Sequence, residues 1–462
     1  MTAPVPPGTA RLLTVCVASV GGLLFGYGIG VIAGVLRLVA ETFALSSWQQ
    51  GAVVSAALLG AALTALTSGR PADRFGRRPV IGAAAAVYAL GTAVSAAASD
   101  STALLAGRFL VGLALGATSF AVPLYISEIS PPAQRGALVT LNQLMITVGL
   151  LLSYVVAYLL EPAGAWRWML ALGLLPACVL LAGMCLVPES PDWLHTRGDA
   201  ARAASAARRL SLPDPGGPAD SPGDRPETHP GARVRTHQRA SPGVRPATAT
   251  ATRPAAGRAV SLRQACALAG PRWVALGLAI AVLVHLTGLN TAIYYVPTIL
   301  GGSGVTAAGG ILGAVLVGLC NVAATIVTIA LLDRVGRRKT MIGGLLVMAV
   351  AAVGIAVAQP FGLTGAPTAA LLCFFIMAGA VGPAAVFWVY IAEIYPAGAR
   401  GVLMSLATAA HWATDFVVAT TFLPLVQELS LGGAFGVYAT ISAASALALS
   451  RWMPETRGRL LL

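Results

Sequence analysis

Apolar residues run through this chain in long stretches, each closed by charged or turn-forming residues. Read this way, the pattern predicts twelve helices, over about 11–36, 49–69, 79–98, 103–126, 137–160, 166–187, 272–299, 306–332, 340–359, 366–392, 402–426 and 431–452. The run from Ala307 to Leu332 carries no charge at all, and about 20 apolar residues suffice to cross a bilayer. The runs are continuous rather than alternating, which excludes a transmembrane barrel. Composition sharpens the picture: 57% of residues are hydrophobic and 10% charged, with a mean hydropathy of +0.79, whereas soluble domains carry about 25% charged residues. The 52 glycines fit close approach of membrane helices. The fold class expected is therefore an all-α membrane protein.

Charge sets the orientation. The net charge is +13, with a single lysine, Lys339, among 30 basic residues. A cytoplasmic N-terminus places all of these on the cytoplasmic side except Arg37 and Arg167, which fall outside, and Arg108, inside the fourth span. That asymmetry reads as the positive-inside rule and not as a nucleic-acid surface. Both termini are then cytoplasmic, with the chain spanning the cell membrane several times. The six cysteines show neither metal-ligand spacing nor a disulfide framework. The Pro-rich start lacks a signal-cleavage pattern, so the first span is expected to stay in place.

Between the sixth and seventh helices the chain turns to Pro, Arg, Thr and Ala, and Pro213 to Pro254 reads as disordered linker. The two sides of this linker echo each other. Asp73-Arg74-Phe75-Gly76-Arg77-Arg78 recurs as Asp333-Arg334-Val335-Gly336-Arg337-Arg338, Tyr125-Ile126-Ser127-Glu128-Ile129 with Arg135-Gly136 as Tyr390-Ile391-Ala392-Glu393-Ile394 with Arg400-Gly401, and Pro188-Glu189-Ser190 as Pro454-Glu455-Thr456. Nearly constant spacing of three matched pairs indicates two six-helix halves in parallel orientation, an organisation of transporters that bind at the interface of their repeats. The expected domains are an N-terminal segment 1–10, a bundle 11–187, a linker 188–271, a bundle 272–453 and a C-terminal segment 454–462.

Together these loops and the Pro188-Glu189-Ser190-Pro191-Asp192-Trp193-Leu194 and Pro454-Glu455-Thr456-Arg457-Gly458 segments resemble the sugar porters of the major facilitator superfamily, over all but the ends and the linker. The resemblance implies the major facilitator fold, twelve transmembrane helices in two six-helix bundles. It also implies secondary transport of a monosaccharide or similar polyol by alternating access. No cofactor, metal or catalytic group is expected. An enzyme lacks a nucleophile–base pair, an ATP-driven pump lacks a P-loop, and a membrane sensor lacks a long structured tail. The expected partners are the sugar or polyol, the lipid bilayer and, in one reading, protons.

Asp73, Arg74, Arg77, Arg78, Glu128 and Arg135, with Asp333, Arg334, Arg337, Arg338, Glu393 and Arg400, sit at cytoplasmic helix ends. Anchoring accounts for the arginines but not for a carboxylate recurring in each loop. A latch between the bundles accounts for both, since exposed pairs worth about 0–1 kcal/mol each suit a gate that must open.

Charged groups inside a bilayer are costly and mark function by default. Here they are Arg108 in helix four, His285 in helix seven, and His411 with Asp415 in helix eleven. His411 and Asp415 share a helix face four residues apart, which predicts a bond between them. Gly21-Gly22-Leu23-Leu24-Phe25-Gly26-Tyr27-Gly28 resembles the family segment that ends in a proton-accepting Asp beside a helix-four Arg. That Asp is Gly28 here, while Arg108 is retained. Facilitated diffusion is the simpler reading. The alternatives are proton symport relocated to Asp415, His411 and His285, or transport of sugar acids held by Arg108 or of other small polar solutes.

The resemblance assigns sugar contacts to Gln143, Asn290, Asn321 and Trp388. Amides donate and accept at once, and an aromatic ring faces the C–H side of a sugar. Where relatives carry Gln-Gln-x-x-Gly-x-Asn, this chain reads Val284-His285-Leu286-Thr287-Gly288-Leu289-Asn290. The helix-eleven amide is His411, followed by Trp412, and an Asn of some relatives is Asp415. Tyr294 and Tyr295, before Pro297, match the family's extracellular gate, with a kink expected at the proline.

Overall fold

A computed structural model describes residues 7–131, 134–213, 261–396 and 398–457. Ten spans are α1 (Pro7–Phe43), α2 (Ser47–Thr67), α3 (Arg77–Ala96), α4 (Ser101–Glu128), α5 (Arg135–Leu160), α6 (Trp166–Leu186), α7 (Pro271–Tyr294), α8 (Ala307–Val335), α9 (Arg337–Ala358) and α10 (Ala366–Ile394). A final helix, Arg400–Trp452, turns at Ser430, where φ is 65° and ψ 170°. That turn divides it into α11 (400–429) and α12 (431–452), completing the twelve expected spans.

The ends follow local chemistry. Ser46 forms a capping box with Gln49 ahead of α2, and the Asp100 and Thr306 side chains cap α4 and α8. Gly76 and Gly336 enter α3 and α9 at φ of 104° and 96°, a region open to glycine and strained for other residues.

Three spans are interrupted: α6 between Ala171 and Leu174, α7 and α10. In α7 the helix stops at Leu286 and restarts at Leu289. Gly288 there adopts φ 77°, and a Cβ on it would lie 2.5 Å from the Tyr438 ring. The chain also breaks at Tyr295, just before Pro297. The proline sits in the first turn of a separate helix, Val296–Gly302, where its missing N–H costs nothing. In α10, residues Ala380–Ala384 form a π turn containing Pro383, and the backbone there lies so near α9 that a Cβ on Gly344 would meet Gly382 Cα at 2.7 Å.

The linker is ordered at both ends. Ser190 and Asp199 cap the helices Pro191–Thr196 and Ala200–Leu210, and Ser261 caps Leu262–Ala269. Ala203, Ala206, Ala207 and Leu210 are buried, so small alanines, unremarkable in the sequence, supply the packing face. The disorder expected for 213–254 falls, from 214 onward, on residues outside those described, as do 1–6 and 458–462. All six cysteines are free.

The halves α1–α6 and α7–α12 meet where α2 packs on α11 and α5 on α8. Close to the end remote from the charged loops, Tyr154 Oη donates to the Ile293 carbonyl at 2.8 Å, and Thr420 Oγ1 to Ser55 Oγ at 2.7 Å. Gln143, Thr147, Leu150 and Tyr154 lie on one face of α5. Along it Tyr154, Leu150 and Thr147 are buried, whereas Gln143, nearest the charged loops, is exposed. The interface is thus sealed at one end and open at the other.

Candidate functional site

The break in α7 places the central cluster. His285 lies just before it. Asn290 and Tyr294, one turn apart after it, both point to α11, where Asp415 Oδ2 accepts from Asn290 Nδ2 at 3.0 Å and from Tyr294 Oη at 2.6 Å. Asp415 is 1% exposed. Its other oxygen, Oδ1, is 3.3 Å from His285 Nδ1, at ion-pair distance but without hydrogen-bond geometry.

His411 does not bond Asp415, as the four-residue spacing had predicted. Its ring meets His285 edge-on with centroids 3.9 Å apart, stacks on Phe387 at 4.5 Å, and is flanked by Trp388 at 5.2 Å and Trp412 at 5.1 Å. The helix offers Asp415 to donors from α7, and aromatic packing takes His411 instead. Phe25 of α1 reaches Trp412 across the halves at 5.6 Å. The sequence reading missed Phe25 and Phe387, since a phenylalanine inside a membrane helix carries no signal of its own.

Of the other sugar-contact candidates, Asn321 is buried on α8 and Gln143 exposed on α5, and neither hydrogen-bonds to this cluster. Tyr294 is held by Asp415, and Tyr295 Oη donates to the Ala419 carbonyl at 2.9 Å, so both gate tyrosines tie α7 to α11. Arg108 is buried. Its Nη1 donates to the Gly28 carbonyl at 2.9 Å, and among the described residues it pairs with no carboxylate. A Cβ on Gly28 would lie 2.8 Å from Tyr88 Oη, so Tyr88 fills the place of a side chain there.

At the loop end the repeated motifs assemble into one network per half. Arg77 Nη2 pairs with Glu128 at 2.9 Å and Nη1 with the exposed Asp73 at 3.2 Å. Arg337 Nη2 pairs with Glu393 at 2.9 Å. Glu189 accepts from the backbone N–H groups of Arg77, Arg78 and Ser190, and Glu455 from those of Arg337, Arg338, Thr456 and Arg457. Carboxylates are stabilised at helix N-termini, and a Cβ on Gly76 or Gly336 would strike them at 2.3 and 2.6 Å. Burial pushes the Glu189 carboxyl above its usual range against its backbone donors. Burial also pushes Glu455 upward, but there the backbone donors win and hold it below.

Among the described side chains, the pairs Arg77–Glu128 and Arg337–Glu393 each close within one half. Arg78 donates to the Met184 and Cys185 carbonyls and Arg400 to that of Tyr395. Arg74 lies over Phe75, and Arg334 is exposed. The side chains of Arg135 and Asp333 fall outside those described. Glu189 and Glu455 went unassigned in the sequence reading, although their recurrence was the available signal. Among the described residues no cluster suited to a metal ion occurs.

A family model described as "Sugar (and other) transporter" matches residues 14–462. The chain belongs to the sugar transporter family. The galactose-proton symporter of Escherichia coli (strain K12) is 34% identical, over 97% of this chain and 92% of its own. The glucose transporter GlcP of Staphylococcus epidermidis is 32% identical, over 97% and 95%. Among solved structures, a partially occluded inward open conformation of the xylose transporter XylE from E. coli aligns with a TM-score of 0.79 at 25% identity, covering 98% of this chain and 100% of that one. This transporter is accordingly a multi-pass integral membrane protein with the major facilitator fold, and not an enzyme.

Proposed function

We propose that this transporter carries a monosaccharide or related polyol across the cell membrane by facilitated diffusion, with both termini and the charged loops cytoplasmic. Its relatives' names include galactose and glucose, and the facing helices offer Asn290, Asn321, Gln143, Trp388, Trp412 and two histidines to a polyhydroxylated ligand. The basic loops support the orientation. The bilayer surrounds the exposed leucines and valines of the spans. With the loop end cytoplasmic, the described conformation faces inward, and breaking or making the loop network accompanies alternation.

The observation that carries the mode is Gly28. The place that the family resemblance gives to a proton-accepting carboxylate has no side chain, Tyr88 leaves no room for one, and Arg108 is engaged by a backbone carbonyl. Proton symport is the second reading, favoured by His285 Nδ1 lying 3.3 Å from Asp415 Oδ1.

Uptake of D-glucose, D-galactose and D-xylose into proteoliposomes, with and without a proton gradient and with a pH-sensitive dye inside, tests the mode. Facilitated diffusion equilibrates each sugar without concentrating it and moves no protons. Accumulation driven by the gradient overturns it and makes Asp415→Asn and His411→Gln the next variants.

A further inference from the structure

Among the described residues, Asp415 is the one carboxylate buried well inside a span. Its two hydrogen-bond donors, Asn290 and Tyr294, are neutral and both serve Oδ2. Neither donor can cancel the charge of a carboxylate, and Oδ1 has no hydrogen bond. Buried charges are ordinarily paired, so the counter-ion must be sought among the groups that face it. From α7 these are His285 and Tyr294, from α11 His411, and from α12 Tyr438. The one permanent cation nearby, Arg108 on α4, gives its Nη1 to the Gly28 carbonyl and forms no ion pair with Asp415.

The same cluster holds other orphans. Both nitrogens of His285, Nδ1 of His411 and Nε1 of Trp412 are buried without a hydrogen-bond partner. Buried polar atoms are normally satisfied, so this set asks for a ligand with donors and acceptors. Around His411 stand Phe387, Trp388 and Trp412, with Phe25 behind, and the faces of such rings attract cations. A sugar hydroxyl would donate to Oδ1 and leave the charge uncancelled. An ammonium would donate, cancel it and use the rings.

Granting the transport reading above, we propose that the substrate is a polyol bearing one ammonium group, an amino sugar or aminocyclitol, whose ammonium pairs with Asp415. Facilitated diffusion of such a substrate moves one positive charge per cycle. An inside-negative membrane potential therefore concentrates it without any proton.

The test uses the full chain in proteoliposomes with a potassium diffusion potential and no proton gradient. The probes are two matched pairs, D-glucosamine with D-glucose and D-galactosamine with D-galactose. Charge-assisted hydrogen bonds are about twice as strong as neutral ones, so at low concentration the preferred amino sugar should enter about tenfold faster than its neutral partner. It should accumulate when the interior is negative and lose that accumulation when the potential is reversed, while the neutral partner ignores the potential. Asp415→Asn, which keeps an acceptor for Asn290 and Tyr294, should cut the ratio of amino to neutral uptake about tenfold. The potential dependence of the unaltered protein is a readout that does not depend on that variant folding.

Neutral sugars entering as well as amino sugars would overturn the proposal and leave sugar transport standing. An amino preference unchanged in Asp415→Asn would also overturn it, because the charge would be recognised elsewhere. Uptake of no member of either pair would overturn it together with the transport reading for these sugars.

Discussion

Glu189 and Glu455 hold the same place in the two halves, each seated on the first backbone N–H groups of the helix that follows an Asp-Arg-x-Gly loop. Their surroundings differ. Glu189 is buried and its carboxyl is pushed upward, whereas Glu455 is half-buried and is held down. The neighbouring ion pairs differ in the same sense, with the Glu128 side chain 13% exposed and that of Glu393 27%. One motif written twice thus gives a dry network and a wetter one. Letters and spacing set the partners, while burial sets the sign and size of the electrostatic effect.

The comparison is broken most sharply at the arginines. Removing one partner of a buried ion pair costs about 3–5 kcal/mol, so Arg77→Ala should lower stability by that order, and Arg337→Ala by less because water reaches Glu393. Thermal unfolding in detergent measures both, and equal losses would abolish the distinction. Next come the glycines. Gly76→Ala and Gly336→Ala each place a side chain in a strained backbone region, at about 1–3 kcal/mol. The former should cost more, since its Cβ falls nearer the carboxylate.

Smaller still is the loss of a hydroxyl. Tyr125 Oη donates to the Pro188 carbonyl at 2.5 Å and Tyr390 Oη to that of Pro454 at 3.1 Å. Phenylalanine at either should cost about 1 kcal/mol, with Tyr125→Phe the larger, measured by the same melts.

The smallest effect is a pH dependence of opposite sign. Glu455, held below its unfolded value, contributes stability above the ordinary glutamate range, and that contribution is lost as pH falls through its folded value. Glu189, pushed above, contributes below that range and loses its contribution as pH rises through its folded value. Glu455→Gln should therefore destabilise at pH 7 and cease to matter in acid, while Glu189→Gln should be neutral or mildly stabilising at pH 7. Melting profiles of the two variants from pH 3 to about 8 that ran parallel would refute the contrast.

Much of this was legible beforehand, because some signals are local. Apolar runs fix the spans, since a backbone in lipid must satisfy its own hydrogen bonds. Charged loops mark their ends, and the repeated motifs announce two halves. The break at Gly288 was not legible, as it depends on Tyr438 of a distant span occupying the space of a side chain. The alanine face that packs Ala200–Leu210 was likewise silent.

The central cluster divides in the same way. Arg108, His285, His411 and Asp415 stand out in the sequence because ionisable residues are rare in a span, and Gly28 because the family resemblance expects a carboxylate there. Which of them meet was decided by packing. Helical spacing offered His411 to Asp415, but the broken α7 brings Asn290, Tyr294 and His285 there first, and aromatic rings claim His411. Sequence determines which groups must be buried, because their cost in lipid is intrinsic to each residue. Their partners come from the crossing of helices far apart in the chain, and only the tertiary structure sets that.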